Sequence, residues 1–493
     1  MKAGVELKLE TIIKNSQFTI IKGDTDIEVT GIENDSRKIS KDNMFIAIKG
    51  FTVDGHDFID KAIENGANCI AVERDILIEE DGITQIKVED TTTALSQFSS
   101  LFYEEPSKKL KTLGITGTNG KTSITYMIES IFREAKKNTG IIGTMGSRFA
   151  DMVIENKNTT PDSLTVQRHL SKMVESGIEF CAMEVSSHAL DLQRVDDVDF
   201  EVGVFTNLTE DHLDYHETME SYYRSKLKLF NRTKKYNIVN GDDVYGRRIL
   251  QEVDNTVPIM TYGIEGDYDI YATDVICHTK GVDFILNTSK GSMPINLKIL
   301  GRFSVYNALA AIACGIVYDI DLLTIKKGIE SIRSIKGRFE IIPIDKDYSV
   351  IIDFAHTPDG LEKVLTTIDQ FAEGRKIVIF GAGGNRDKTK RPIMGETVAR
   401  HADLCIVTSD NPRFEEPDDI IEDVLVGVKR AKGNYVAITD RKEAIKYALS
   451  NARPNDIILL AGKGHETYTI IKDKVIPFDE KQIVLDILKD MHK

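Results

Sequence analysis

A three-domain α/β fold is what the sequence predicts, on three observations. The first is length: 493 residues at ~150 residues per domain correspond to roughly three domains. The second is a recurring order of short apolar run, glycine-rich or polar loop, and helical pattern, which favours parallel sheets covered by helices. The third is a pair of charged breaks, "EEPSKKLK" and "RSIKGRFE". They divide the chain into 1–107, 108–336 and 337–493.

The bulk numbers narrow the function classes. Apolar content of 41% and charged content of 29% are ordinary for a globular protein. The net charge of −15, from 63 basic and 78 acidic residues, argues against nucleic-acid binding, which needs basic surface to replace counterions. A local cationic loop can still hold phosphate on an acidic protein. Cys69, Cys181, Cys277, Cys314 and Cys405 are scattered and lack CxxC or zinc spacing. They read as reduced thiols in a reducing compartment. The start, "MKAGVELKLETII", has no long apolar stretch, and no run approaches the ~18 apolar residues of a membrane span. The expected address is the cytoplasm, with no membrane span.

In the first segment "NMFIAIKG" reads as a strand, and "DFIDKAIENGANCIAVE" as helix, glycine stop and strand. The second segment opens with "LGITGTNGKTS", a strand, a glycine loop and a helix start. Such a loop wraps backbone N–H groups around phosphate oxygens, and the helix N-terminus adds partial positive charge. Gly117, Thr118, Asn119, Gly120, Lys121, Thr122 and Ser123 are therefore the nucleotide-binding candidates. Lys121 can bridge the β- and γ-phosphates, and Thr122 can ligate Mg²⁺. The spacing departs from GxxxxGK[ST], because Ile115 stands where the first glycine would be. A glycine turn with a solvated lysine is the plainer alternative; the strand–loop–helix context favours ATP or another nucleotide.

The strand "FCAMEV" reaches Glu184, where nucleotide-binding sheets place a metal ligand or a water-positioning carboxylate. "FTNLTEDHLDYH" concentrates Asn207, Asp211, His212, Asp214 and His216 after another strand. His212 is the metal-ligand candidate; a surface loop with incidental histidines is the alternative. On the helix "ETMESYYRSKLKLF", Lys226 shares a face with Met219, Tyr222, Leu229 and Phe230, whereas Lys228 falls with Ser221, Arg224 and Arg232. Lys226 should point inward and Lys228 to solvent. A half-buried lysine has a lowered pKa, and its amine can add CO₂ to become an anionic carbamate able to hold Mg²⁺. A structural lysine that snorkels to water satisfies the same helical phase.

"GITGTNGKTS", "NTTPDS", "MEVSSHAL", "FTNLTEDHLDYH", "YYRSKLKLF", "GRFSVYNALAA", "GRFE", "DFAHTPDGL", "GAGGNRDKTKRP", "DNPR" and "AGKGHE" occur in that order over nearly the whole chain. Together they resemble the Mur ligase family, in particular its diaminopimelate-adding branch. The resemblance implies a uridine-binding domain, a central ATPase domain and a C-terminal Rossmann-like domain, acting as a monomer. It implies ATP-dependent amide bond formation on UDP-MurNAc-L-Ala-D-Glu through an acyl phosphate. Lys121, Glu184, His212 and Lys226 would be catalytic. Lys226 would be the carbamate, holding Mg²⁺ with Thr122, Glu184 and His212. Ser36, in "NDSRK", would contact uridine. Thr159, Thr160, Ser186 and Arg194 would contact the nucleotide-peptide. Asn307 would contact adenine, and Arg338 and Asp353 the ribose and phosphates. For Ser36, Thr159 and Thr160 the plainer alternative is turn capping.

The last segment carries the specificity expectation. "KIVIFGAGG", "DLCIVTSD" and "DIILLAGKGHE" are apolar strands with polar loops at their C-terminal ends, and in a parallel sheet those ends share one edge where ligands bind. Arg386, Asp410, Asn411, Pro412, Arg413, Gly462 and Glu466 can converge there. Glu466 suits the ammonium of diaminopimelate, and Arg386 and Arg413 suit its carboxylate. Pro412 stiffens the turn. The alternatives are L-lysine, lanthionine (which also has a distal carboxylate), a folylpolyglutamate synthase-like reaction, and a nucleotide-dependent module without catalysis. The sequence departs from the family pattern at Ser304, Ala382 and Asn385, which stand for Asn, Cys and Asp, and in placing Gln193 beside Arg194.

Overall fold

The structure is a computed structural model that describes residues 6–14, 16–50, 53–254, 256–278 and 280–491. The first five residues of the N-terminal stretch read for a leader therefore lie outside the described residues. Three large sheets dominate, as the alternating pattern predicts. The first has five strands in the order Phe18–Lys22, Thr84–Val88, Ala67–Val72, Asn43–Ile46, Gly31–Glu33. Its strands are parallel except Phe18–Lys22, which runs antiparallel at one edge.

The second sheet has eleven strands. Its middle is parallel: Thr139–Gly143, Phe180–Glu184, Lys111–Thr116, Phe200–Phe205, Tyr236–Asn240 and Ile259–Gly263. These strands are near-continuous apolar runs because helices cover both faces. The long strands Ile270–His278, Gly281–Thr288 and Gly291–Leu297 extend one edge as an antiparallel meander. Helix Arg302–Val317 is apolar nearly all round and buried accordingly. It packs with helix Lys121–Glu134, which also meets helix Leu322–Ser331. Gly328 allows that last approach, since a Cβ there would sit 2.5 Å from Ile131 Cα.

The third sheet has six strands in the order Glu340–Ile341, Ser349–Asp353, Ile457–Ala461, Lys376–Phe380, Leu404–Val407, Tyr435–Ala437. All pairings but the first are parallel. The C-terminal ends of its central strands therefore lie along one edge, and that edge faces the glycine loop of the second sheet. Among the described residues no helix is long and apolar enough to cross a membrane.

Candidate active site

The loop Gly117–Gly120 leaves strand Lys111–Thr116 and enters helix Lys121–Glu134. Two positions need glycine. Gly117 has φ +146°, and a Cβ there would lie 1.8 Å from Thr206 Oγ1. Gly120 has φ +91°, and its Cβ would lie 2.4 Å from Asn307 Oδ1. The loop is braced against the next strand end: Thr118 N donates to Asn207 O (2.9 Å), Asn119 N to Asn207 Oδ1 (3.1 Å), and Thr206 Oγ1 to Asn119 O (2.7 Å). Gly117→Ala is expected to cost on the order of 2 kcal/mol in stability and to weaken nucleotide binding. Thermal melts with and without ADP check this; a variant whose ADP-induced stabilisation is unchanged would contradict it.

Thr122 sits at the centre of a polar chain. Arg338 Nη2 donates to Thr122 Oγ1 (3.0 Å), which donates to Glu184 Oε2 (3.0 Å). Thr144 adds its N–H to Glu184 Oε1 (2.9 Å) and its hydroxyl to Oε2 (3.0 Å). Arg338 Nε is buried without a hydrogen-bond partner among the described residues. An unpartnered guanidinium donor beside a glycine loop fits a phosphate ligand. Asp353 is fixed by Phe339 N and Ala355 N, both at 2.7 Å, and burial pushes its pKa up.

Two lysines meet at the loop. Lys121 Nζ donates to Gly117 O and Thr118 O, each at 2.8 Å. Lys226 Nζ donates to Gly117 O at 3.0 Å and lies 4.5 Å from the Tyr222 ring centroid. Lys226 is 1% exposed, and burial, helped by the neighbouring Lys121 charge, holds its pKa well below the ordinary lysine value. Burial lowers Lys121 as well. Lys228 instead pairs with Asp191 at 2.9 Å on a partly exposed flank. His212 begins a short turn at φ +56°. Its Nε2 lies 3.4 Å from Asp211 Oδ2, and desolvation pushes its imidazole pKa down against the Asp211 charge, which favours the neutral form that binds metal. No group of three or more His, Cys, Asp or Glu side chains suited to a metal ion occurs among the described residues.

The third sheet closes over this loop through side chains. Asp359 Oδ2 accepts from Asn119 Nδ2 (2.8 Å), Thr209 Oγ1 (3.1 Å) and Lys363 Nζ (2.8 Å). Lys390 Nζ lies 3.4 Å from Asp211 Oδ1. Between the sheets is a cavity of about 1120 Å³, larger than a typical single-ligand pocket of roughly 300–1,000 Å³.

Three loops of the third sheet also line this cavity. Arg413 has φ +53° and is clamped through its backbone: its N donates to Ile470 O (3.1 Å), and Lys472 N donates to its O (2.7 Å). A bulky residue in this conformation is strained. Its guanidinium donates through Nη1 to Gly384 O (2.9 Å) and Asn411 O (3.3 Å). Gly383 and Gly384 make room, since a Cβ on Gly383 would lie 3.0 Å from Arg413 Nη1 and one on Gly384 1.9 Å from Pro412 O. Asn411 Nδ2 donates to Glu466 Oε2 at 2.9 Å. Gly462, at φ +113°, leaves room for Asp410, whose Oδ2 would lie 2.6 Å from a Cβ. Arg386 also lines the cavity. The family departure at Asn385 has a local reason: its φ is +50°, which Asn tolerates, and its Oδ1 accepts from Phe414 N at 3.0 Å. Ser304 is buried in the first turn of its helix, where its hydroxyl donates to Gly301 O (2.6 Å) and Ile299 O (3.1 Å).

Most residues singled out in the sequence line the one cavity: Thr118 to Ser123, Thr159, Glu184, Ser186, Arg194, His212, Asn307, Arg338, Asp353, Arg386, Asp410, Asn411, Arg413, Gly462 and Glu466. Lys226, Gly117, Thr160 and Pro412 sit just behind its wall. Thr160 Oγ1 donates to Glu184 O (2.8 Å), and Arg194 Nη1 to Thr160 O (3.0 Å). Ser36 is not on the cavity. It opens a short 3-10 turn in the first sheet, capped by Asp35, and is buried. The sequence reading missed His188, Lys390, Asp359 and Tyr468. The first three stand inside motifs already quoted; Tyr468 had no local signal.

Three family models match the chain. A Mur ligase family catalytic domain matches residues 28–103, a Mur ligase middle domain 115–315, and a Mur ligase glutamate ligase domain 337–464. The chain is 46% identical over 487 residues to the UDP-N-acetylmuramoyl-L-alanyl-D-glutamate–2,6-diaminopimelate ligase of Caldanaerobacter subterraneus subsp. tengcongensis, covering 99% of this chain and 100% of that one. It is 44% identical over 486 residues to the enzyme of that name from Clostridioides difficile, covering 98% and 100%. A solved structure of a ligase of that name superposes with a TM-score of 0.69 at 28% identity, over 99% of each chain. MurF from Acinetobacter baumannii superposes with a TM-score of 0.72 at 21% identity, over 99% and 100% of the chains, which is a likeness of fold.

Proposed function

The chain belongs to the Mur ligase family, and from that premise we propose that it joins meso-diaminopimelate to the D-Glu carboxylate of UDP-MurNAc-L-Ala-D-Glu at the expense of ATP. The observation that carries this reading is that one cavity is lined by both the phosphate loop and an Arg413–Asn411–Glu466 cluster. A carboxylate is a poor electrophile. A D-Glu carboxylate oxygen attacks the γ-phosphorus of ATP, the bond to ADP breaks, and an acyl phosphate forms. The amine nitrogen of diaminopimelate then attacks the acyl carbon. The tetrahedral intermediate expels phosphate, and the nitrogen loses a proton.

Each residue has a task in that sequence. Backbone N–H groups of 117–122 and Lys121 cradle the phosphates, and Lys121 offsets charge on the transferring group. Arg338 and Asp353 flank the nucleotide, and Asn307 holds its base. Thr159, Thr160, Ser186 and Arg194 position the peptide end of the nucleotide-peptide, and Ser36 its uridine. Lys226, whose pKa burial holds well below the ordinary lysine value, takes up CO₂ as a carbamate. With Thr122, Glu184 and His212 it would hold Mg²⁺, which supplies positive charge to the phosphoryl oxygens when bound. The segments 1–107, 108–336 and 337–493 serve uridine, ATP and the incoming amino acid respectively. One chain lines the whole cavity, which supports a monomer. The nucleotide substrates and the unpaired cysteines support the cytoplasm as its place of work.

The test is phosphate release with ATP and Mg²⁺. Release that needs both the UDP-linked dipeptide and diaminopimelate is expected. Release driven by a folate substrate, or indifferent to the amino acid, would overturn the reading.

A further inference from the structure

Lys463 follows Gly462 at the end of strand Ile457–Ala461, and its side chain is fully buried behind the cavity wall. Its Nζ donates to Tyr468 O (3.0 Å) and Asn411 Oδ1 (3.2 Å). It also lies 3.5 Å from Asp410 Oδ1 and 3.8 Å from Glu466 Oε2. One buried ammonium thus joins the "DNPR" loop, the "GKGHE" loop and the strand Tyr468–Ile471. Asn411 Oδ1 takes Lys463 and Ile470 N (2.9 Å) together, so its amide can only turn its Nδ2 to Glu466. That bond occupies Glu466 Oε2 and leaves Oε1 for a ligand.

We propose that Lys463 is the positioning residue of the amino-acid end-group site: it fixes the Asn411 amide and holds Asp410 and Glu466 together as anions, so that the site takes an ammonium beside the carboxylate bound by Arg413. The inference rests on assigning this part of the cavity to the incoming amino acid. Without Lys463, two neighbouring buried carboxylates would face each other, and one would take a proton. Burial and Asp410 already push Glu466 up, while Lys463 opposes them. Arg441 makes its hydrogen bonds to Glu480 Oε1 (2.7 Å) and Ala461 O (2.8 Å), and its charge adds to the larger effect of Lys463 on Asp410. Arg413 donates through Nη1 to Gly384 O and Asn411 O rather than to either carboxylate.

The experiment compares Lys463→Met, the double variant Lys463→Met with Asp410→Asn, and Arg413→Ala. Lys463→Met is expected to raise the apparent KM for diaminopimelate roughly 30-fold while that for ATP moves less than ~3-fold. The double variant, with its charge balance restored, should recover at least ~5-fold of that loss. A scaffold role alone would move the KM values for ATP and diaminopimelate alike, and that result overturns the inference. So does a double variant no better than the single one. Should Lys463→Met fail to fold, the double variant is read alone: a selective rise in the diaminopimelate KM supports the inference, and an equal rise for ATP overturns it. A selective effect of Arg413→Ala with none from Lys463→Met removes this inference and keeps the site assignment. No effect from either removes both.

Discussion

Lys226→Ala is expected to lower turnover on the order of 10³-fold, the scale of removing one fixed electrostatic group from a phosphoryl- or acyl-transfer site. The side chain is 1% exposed and points at Gly117 O, at the root of the phosphate loop. Burial, helped by the Lys121 charge, holds its pKa well below the ordinary lysine value, which favours the neutral amine that adds CO₂. Lys228, paired with Asp191 at 2.9 Å, is the matched control. Its replacement by Ala should change turnover by less than ~3-fold, as for an exposed ion pair. Single-turnover phosphate release measures both variants. Isotope-labelled bicarbonate should give a carbamate signal in the wild type that Lys226→Ala lacks. Equal losses in the two variants, or a Lys226→Ala enzyme near wild type, would contradict the account.

Arg413→Ala is expected to raise the apparent KM for meso-diaminopimelate on the order of 10²-fold or more, since it leaves a carboxylate unpaired in a closed site. The KM for ATP should stay within ~3-fold, because Arg413 bonds to Gly384 O and Asn411 O in the loops of the third sheet and to no residue of the phosphate loop. The strained backbone at φ +53° supports a placed guanidinium. Nothing in the turn itself requires an arginine there. L-Lysine has no second carboxylate, so the variant should lose discrimination between the two amino acids. Steady-state kinetics with each substrate varied in turn decides this. A parallel rise for ATP would contradict the assignment.

Much of the fold was legible because parallel strands buried on both faces are written as unbroken apolar runs, as in "KIVIF" and "IILLA". The inward direction of Lys226 was legible from helical phase alone. The antiparallel extension over 270–297 drew no reading, since its alternating residues lack a loop motif. What the sequence could not carry is pairing across long separations. Asn119 and Asp359 are 240 positions apart, and no periodicity links them. Lys463 reads as a turn lysine within "AGKGHE"; its burial comes from Asn411 and Asp410, more than fifty positions earlier. The αL conformation of Arg413 is likewise imposed by strand Tyr468–Ile471 through its hydrogen bonds.

The most direct measurement offers equal concentrations of meso-diaminopimelate and L-lysine together, with ATP, Mg²⁺ and UDP-MurNAc-L-Ala-D-Glu, and identifies the tripeptide product by mass. The account predicts the diaminopimelate tripeptide in large excess. A product that is mainly the lysine tripeptide would contradict the role given to Arg413, Asn411 and Glu466, whatever the rate.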